Sequence, residues 1–164
     1  AQGIRFIDGV ELAEMFPDDW QHRWWRLDSA LAADTPQVDP YVEQPFETFV
    51  EIQFKGLGFD TTAWCFALEG STLIGLSGFS INPDIPTQWG VDFTGVLGSH
   101  RRRGLARALK GVGAQKARAR GATSIWTHNE EKNPMLQLNL SLGFKVTHTS
   151  SFYEGPVPGR PNDA

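Results

Sequence analysis

The turn between residues 96 and 105 limits what this chain can fold into more than any other stretch. A strand-like run, Trp89 to Val96, leads into Leu97-Gly98-Ser99-His100-Arg101-Arg102-Arg103-Gly104, and a helix-like run, Leu105 to Arg120, leads out of it. Strand, Arg/Gly-rich turn and helix, in that order, build a pocket for a diphosphate. The first turn of a helix has backbone N–H groups with no intrahelical partner, and the helix dipole adds about half a positive charge there, so that end attracts an anion. Gly104 would let backbone approach such a ligand without a Cβ in the way, and Arg101, Arg102 and Arg103 add charge-assisted donors. The same order sets topology. Strands before the turn can pair antiparallel through short connections, whereas the crossover helix requires the strand at Ser124 to His128 to run parallel to that at Val91. The plainer alternative is a surface helix start with basic residues. The turn lacks the Gly-Lys-Ser/Thr of a P-loop and the Gly-x-Gly-x-x-Gly of a dinucleotide site.

A second pattern follows the Ser124 strand: Asn129 to Asn133, then Pro134, Met135, Leu138, Asn139, Leu142, Gly143 and Phe144. It reads as loop, helix and glycine cap. Asn133 can N-cap the helix and Pro134 suits its first position. Met135, Leu138 and Leu142 share one face, and Gly143 can end it. Taken with Arg101-x-x-Gly104-x-Ala106, this pattern resembles the GCN5-related N-acetyltransferase (GNAT) superfamily, in family order and spacing, from Trp64 to about Tyr153. The strand Val91 to Val96 and the Asn129, Asn133, Met135-Leu136, Asn139 series further resemble an actinobacterial type, found in tandem acetyltransferases and mycothiol-synthase-like proteins.

The resemblance implies an α/β acyl-CoA N-acyltransferase fold, a mixed central sheet flanked by helices, as one domain over residues 1–154. It implies acetyl-CoA as cosubstrate, no metal, and direct acyl transfer to a primary amine of a small-molecule acceptor. Thr94, Gly95, Val96, Leu97 and Gly98 would line the donor, with the pantetheine amides pairing to Val96 and Gly98. Gly95 would mark the bulge that splays the strands, or else a tight packing spot. Arg101, Arg102, Arg103, Gly104, Leu105 and Ala106 would wrap the diphosphate, and Asn129 and Asn133 would touch CoA. Asp92, a carboxylate in an apolar strand on the face of Thr94, is the first candidate base, acting through a water. Its alternative is a structural tie for the preceding loop. Glu130 and His128 come second. Where the family commonly has a proton-giving tyrosine, this chain has Asn139, whose amide cannot give up a proton. Water would then protonate the thiolate, or Asn139 would only orient CoA, or catalysis would be impaired, with Tyr153 a remoter substitute. A catalytically silent acyl-CoA-binding module, regulatory or half of a tandem protein, is therefore the alternative function.

Bulk properties narrow the class. A length of 164 residues suits one core, and 40% hydrophobic with 12% aromatic residues excludes a disordered chain. A net charge of −4 argues against a general nucleic-acid binder. Basic residues cluster from Arg101 to Arg120, which suits a small polyanion. A nucleic-acid surface there would betray itself by steep salt dependence. The single cysteine, Cys65, cannot form an intrachain disulfide, so a reducing, cytoplasmic setting is expected. It reads as a buried hydrophobe. The histidines have no metal-ligand spacing, no apolar run reaches the roughly 20 residues of a membrane span, and no signal peptide is visible. Opening at Ala1 leaves a processed or excised chain open.

Strands are expected at Ile4–Ile7, Ala63–Leu68, Thr72–Ser80, Gln88–Val96, Ser124–His128 and Lys145–Tyr153. Helices are expected at Val10–Phe16, Asp18–Ala33, Phe46–Phe54 and Leu105–Arg120. The family usually ends with two more strands, so the second would be absent, merged with the first, or supplied by a neighbouring domain or a second subunit in a homodimer. Trp20, Trp24 and Trp25 would either wall the acceptor cleft or pack the core. Residues 155–164, rich in Pro and Gly, read as a disordered tail.

Overall fold

A computed structural model describes residues 3–35, 41–151, 153 and 155. The expected tail, apart from Gly155, lies outside the described residues. Apolar runs form five strands in the spatial order β1-β2-β3-β4-β5: β1 (Ile4–Asp8), β2 (Cys65–Glu69), β3 (Thr72–Ile81), β4 (Gln88–Val96) and β5 (Ser124–Trp126). The first four pair antiparallel, and β5 joins β4 in parallel, as the crossover requires.

Helices cover both faces, so β2 and most of β3 are buried throughout. On one face lie α1 (Gly9–Met15), α2 (Trp20–Ala33) and α3 (Phe46–Phe54). Trp24 is buried there, with its ring centre 4.8 Å from that of Trp64 and 4.7 Å from that of Phe66. Trp20 packs beside it on Phe54, and Trp25 donates from Nε1 to the Gln44 carbonyl at 2.9 Å. These tryptophans serve the α2–α3 packing, the plainer of their two readings. On the other face, α4 (Leu105–Ala119) presses Leu105, Leu109 and Ala117 onto the sheet. Cys65 is fully buried under α4, and burial pushes its thiol up to about 11, which suits packing rather than attack. The last helix, α5 (Pro134–Ser141), starts as its residues demand: Asn133 Oδ1 accepts from the Met135 amide at 2.9 Å, with Pro134 in the first turn.

The strand expected at Lys145–Tyr153 does not form among the described residues. A strand needs a ladder partner and a face to bury. The edge strand β5 has three residues instead of the five expected, and Val146 and Tyr153 remain 65% and 94% exposed. The run has β-forming residues but makes no ladder with β5 among the described residues.

Candidate functional site

β4 and β5 stay together only from Gln88 to Gly90, opposite Ser124 to Trp126. Beyond Gly90, β4 keeps its ladder to β3 but loses its other neighbour, so one backbone edge from Val91 to Val96 borders a cleft of about 790 Å³. A β-bulge marks the divergence. Gly78 faces Phe93 while Phe79 faces Val91, which leaves Asp92 as the extra residue. Such a bulge bends its strand and raises its twist. The bulge expected at Gly95 is therefore at Asp92. Gly95 is instead the tight packing spot: a Cβ there would lie 2.9 Å from Leu31 Cδ1 of α2.

The floor of the cleft is the N-terminus of α4. Gly104 caps that helix at φ +79° with no side-chain hydrogen bond to the first amides, and Arg102 is also left-handed at φ +63°. Two left-handed residues thus flank Arg103 where the loop enters the helix. Nothing lies within 4 Å of where a Gly104 Cβ would stand. Leu105, Ala106 and Arg107 continue the floor. An uncapped helix start with an open, strained loop fits a diphosphate.

The arginines divide. Arg102 lines the cleft with no polar partner among the described residues. Arg101 also lines it, but its Nε donates to the Val96 carbonyl at 3.0 Å and its guanidinium pairs with Asp34 at the end of α2. Arg103 turns to Glu69 at 3.3 Å, where His100 also binds at 3.1 Å. Arg103, Leu97 and Gly98 are absent from the cleft lining, and the Leu97 amide is used on the Ile74 carbonyl at 2.9 Å. Two basic residues farther along are also engaged: Lys116 of α4 with Asp8 at 2.6 Å and Arg120, just past its end, with Asp60 at 2.7 Å. Arg101, Arg103, Lys116 and Arg120 are thus tied up in ion pairs, which breaks up the basic run as a surface for nucleic acid.

The walls bring together Asp92, Thr94, Gly95 and Val96 on one side with Asn129, Glu130 and Asn133 on the other. Asp92 accepts from Ser80 Oγ at 2.6 Å, whereas Thr94 shares a hydrogen bond with Ser77 Oγ at 2.8 Å. Ser77 and Ser80 are three apart on β3 and so face opposite ways. The bulge has removed Asp92 from the face of Thr94. Asp92 meets solvent in the cleft mouth, yet desolvation by the surrounding protein raises its pKa, against the lowering effect of the Ser80 bond. Asn139 does not line the cleft. It is 2% exposed and donates from Nδ2 to Asn129 Oδ1 at 2.6 Å, so it positions Asn129 from behind. Tyr153 is too exposed to serve the site. Sequence reasoning overlooked Lys110, buried at 3% exposure yet part of the floor. Its spacing of four from Ala106 was the available signal, since it puts both on one helix face.

The acetyltransferase (GNAT) family model matches residues 12–144. The chain belongs to this family. Solved GNAT-fold structures agree with the architecture. The aminoglycoside N-acetyltransferase AAC(6')-Iy, in complex with the bisubstrate analogue CoA-S-monomethyl-acetylneamine, superposes with a TM-score of 0.63 at 20% identity, over 94% of this chain and 97% of that one. A ribosomal-protein-alanine N-acetyltransferase from Brucella melitensis biovar Abortus 2308 gives 0.61 at 18%, over 93% and 98%. Diaminobutyrate acetyltransferase EctA from Paenibacillus lautus, in complex with L-2,4-diaminobutyric acid and coenzyme A, gives 0.57 at 21%, over 85% and 73%. No curated protein matches the chain. These likenesses reach the family and its fold, not the narrower tandem or mycothiol-synthase-like type. Among the described residues no His, Cys, Asp and Glu group could hold a metal, and no helix is long and apolar enough to cross a membrane.

Proposed function

We propose that this GNAT acetyltransferase binds acetyl-CoA in the cleft and transfers the acetyl group directly to a primary amine. The observation that carries the reading is the parting of β4 from β5, which frees the edge from Val91 to Val96 that leads to the uncapped start of α4. The open amides of Gly104, Leu105 and Ala106, with Arg102, hold the diphosphate. The free edge of β4 after the bulge offers backbone groups to the amides of the pantetheine arm. Asn133 keeps its Nδ2 available while its Oδ1 caps α5. Asp92 takes the proton of the incoming amine through a water, and its raised pKa makes it a stronger base than an ordinary carboxylate. A reducing, cytoplasmic setting and a second copy or neighbouring domain along the short edge strand β5 complete the reading.

The test is calorimetry with CoA, followed by acetyl-CoA turnover with neamine, L-2,4-diaminobutyric acid and a peptide with N-terminal alanine, amines that follow the names of the three relatives above. Asp92→Asn should lower kcat/KM by about 10²-fold. In the wild type, kcat/KM should fall as pH drops through the raised Asp92 pKa, and the variant should lose that acid limb. An unchanged acid limb would remove Asp92 as the base. A second reading, the silent CoA-binding module, is favoured by the burial of Asn139 where the family commonly has tyrosine. It predicts CoA binding with no CoA released on any amine.

A further inference from the structure

Lys110 lies almost wholly out of solvent, at 3% exposure, and lines the cleft floor. It has no hydrogen bond or ion pair among the described residues; its Nζ stands 6.0 Å from the centre of the Phe144 ring, at the outer limit of a cation–π contact. A buried ammonium without a partner is costly, and a lysine serving only packing would be replaced without loss by an apolar residue. Its level along the cleft follows from the packing of α4. Leu109 touches Gly75, which pairs with Val96, and Gly113 sits against Phe79, which pairs with Val91. Lys110 follows Leu109 by one residue and precedes Gly113 by three, which places it between those levels, nearer Val96 than Val91, between the anion floor and the Asp92 bulge. The arm that joins the diphosphate to the thioester must cross this stretch.

We propose that Lys110 protonates the thiolate that leaves acetyl-CoA, the task for which Asn139 has no proton. This rests on the acetyl-transfer reading above. As the amine nitrogen bonds to the carbonyl carbon, the carbon–sulfur bond breaks and its electron pair goes to sulfur. A proton moves from Lys110 Nζ to that sulfur, giving the CoA thiol and a neutral lysine, which regains a proton from solvent between turnovers. The proton shed by the amine leaves by way of Asp92. Burial lowers the Lys110 pKa to about 8, so the group is protonated at neutral pH and still a ready donor. Around it the cleft presents Arg107 from α4, Asp92 from β4, Asp34 at the end of α2, His100, Arg101 and Arg102 from the turn before α4, and His128 and Glu130 after β5; α5 presents no charged group.

The probe is the pH profile of kcat with an amine accepted in the assay above. In the wild type, kcat should fall as pH rises through the Lys110 pKa of about 8, because the donor loses its proton. Lys110→Met should lower kcat about 10²-fold and lose that basic limb, while calorimetry still detects CoA. Lys110→Arg keeps the charge, but a guanidinium does not release its proton, so kcat should fall by the same order with no basic limb. An unchanged kcat and basic limb in Lys110→Met, with CoA bound to both, overturns the proposal and leaves acetyl transfer standing. No CoA binding to the wild type, or no CoA released on any of the amines, overturns both. If Lys110→Met does not fold, a wild-type kcat with no basic limb alone overturns the proposal.

Discussion

Gly104 holds φ +79° with open space where a side chain would begin. Any other residue there carries about 1–2 kcal/mol of left-handed strain but meets no steric obstacle. Gly104→Glu should therefore fold, as circular dichroism would show, and lose CoA binding, since a carboxylate would stand before the open amides of α4. Calorimetric affinity close to wild type would remove the loop from the site. This residue was legible in the sequence because a helix start and its glycine are local matters. Asp92 and Asn139 were legible only in part. Period-two counting put Asp92 on the face of Thr94, and one extra residue in the β3–β4 register took it off. Asn139 sits on the predicted helix, but its burial behind Asn129 depends on how that helix meets the loop after β5.

At the scale of elements, the helix-to-sheet contact is tightest at Gly113 of α4. A Cβ there would run into the ring of the buried Phe79. Alanine favours a helix over glycine by about 1 kcal/mol, yet overpacking a closed core costs typically about 1–3 kcal/mol, and a ring held between α4 and the sheet has little room to yield. Gly113→Ala should thus lower stability by up to about 2 kcal/mol net, read as a reduced urea midpoint at unchanged m-value. A midpoint at or above wild type would mean that α4 can slide on the sheet. Most elements matched their sequence patterns, because the apolar runs of β2, β3 and β4 and the caps of α5 are written within a few residues of each element. The Lys145–Tyr153 strand failed for a reason no local pattern carries: strand propensity has no effect without a neighbour to complete the ladder.

Across the whole molecule, the cleft joins surfaces from α2, β4, the α4 start and α5. A ligand that bridges them should stabilise the native state as a unit. At about 100 times its Kd, CoA adds about 2.7 kcal/mol, which for a chain of 164 residues raises Tm by roughly 5–10 °C. Scanning calorimetry checks this, and an unmoved Tm would mean that CoA does not bind the native fold. The distribution of charge belongs to the same scale. The basic run after Val96 looks continuous along the chain, but folding brings Asp8, Asp34, Asp60 and Glu69 against it.

By itself the sequence determined the order of elements from β1 to α5, the parallel return of β5 and the glycine-led start of α4. Those follow from side-chain periodicity, helix-end chemistry and the handedness of crossovers, all of which act over short stretches of chain. Only the tertiary structure decided where β4 leaves β5, that Arg102 alone of the three turn arginines has no polar partner among the described residues, and that Lys110 rather than Asn139 faces the cleft. Each of these depends on partners distant in sequence, such as Asp34 for Arg101 and Glu69 for Arg103, whose meeting is settled by packing two helical layers against one sheet.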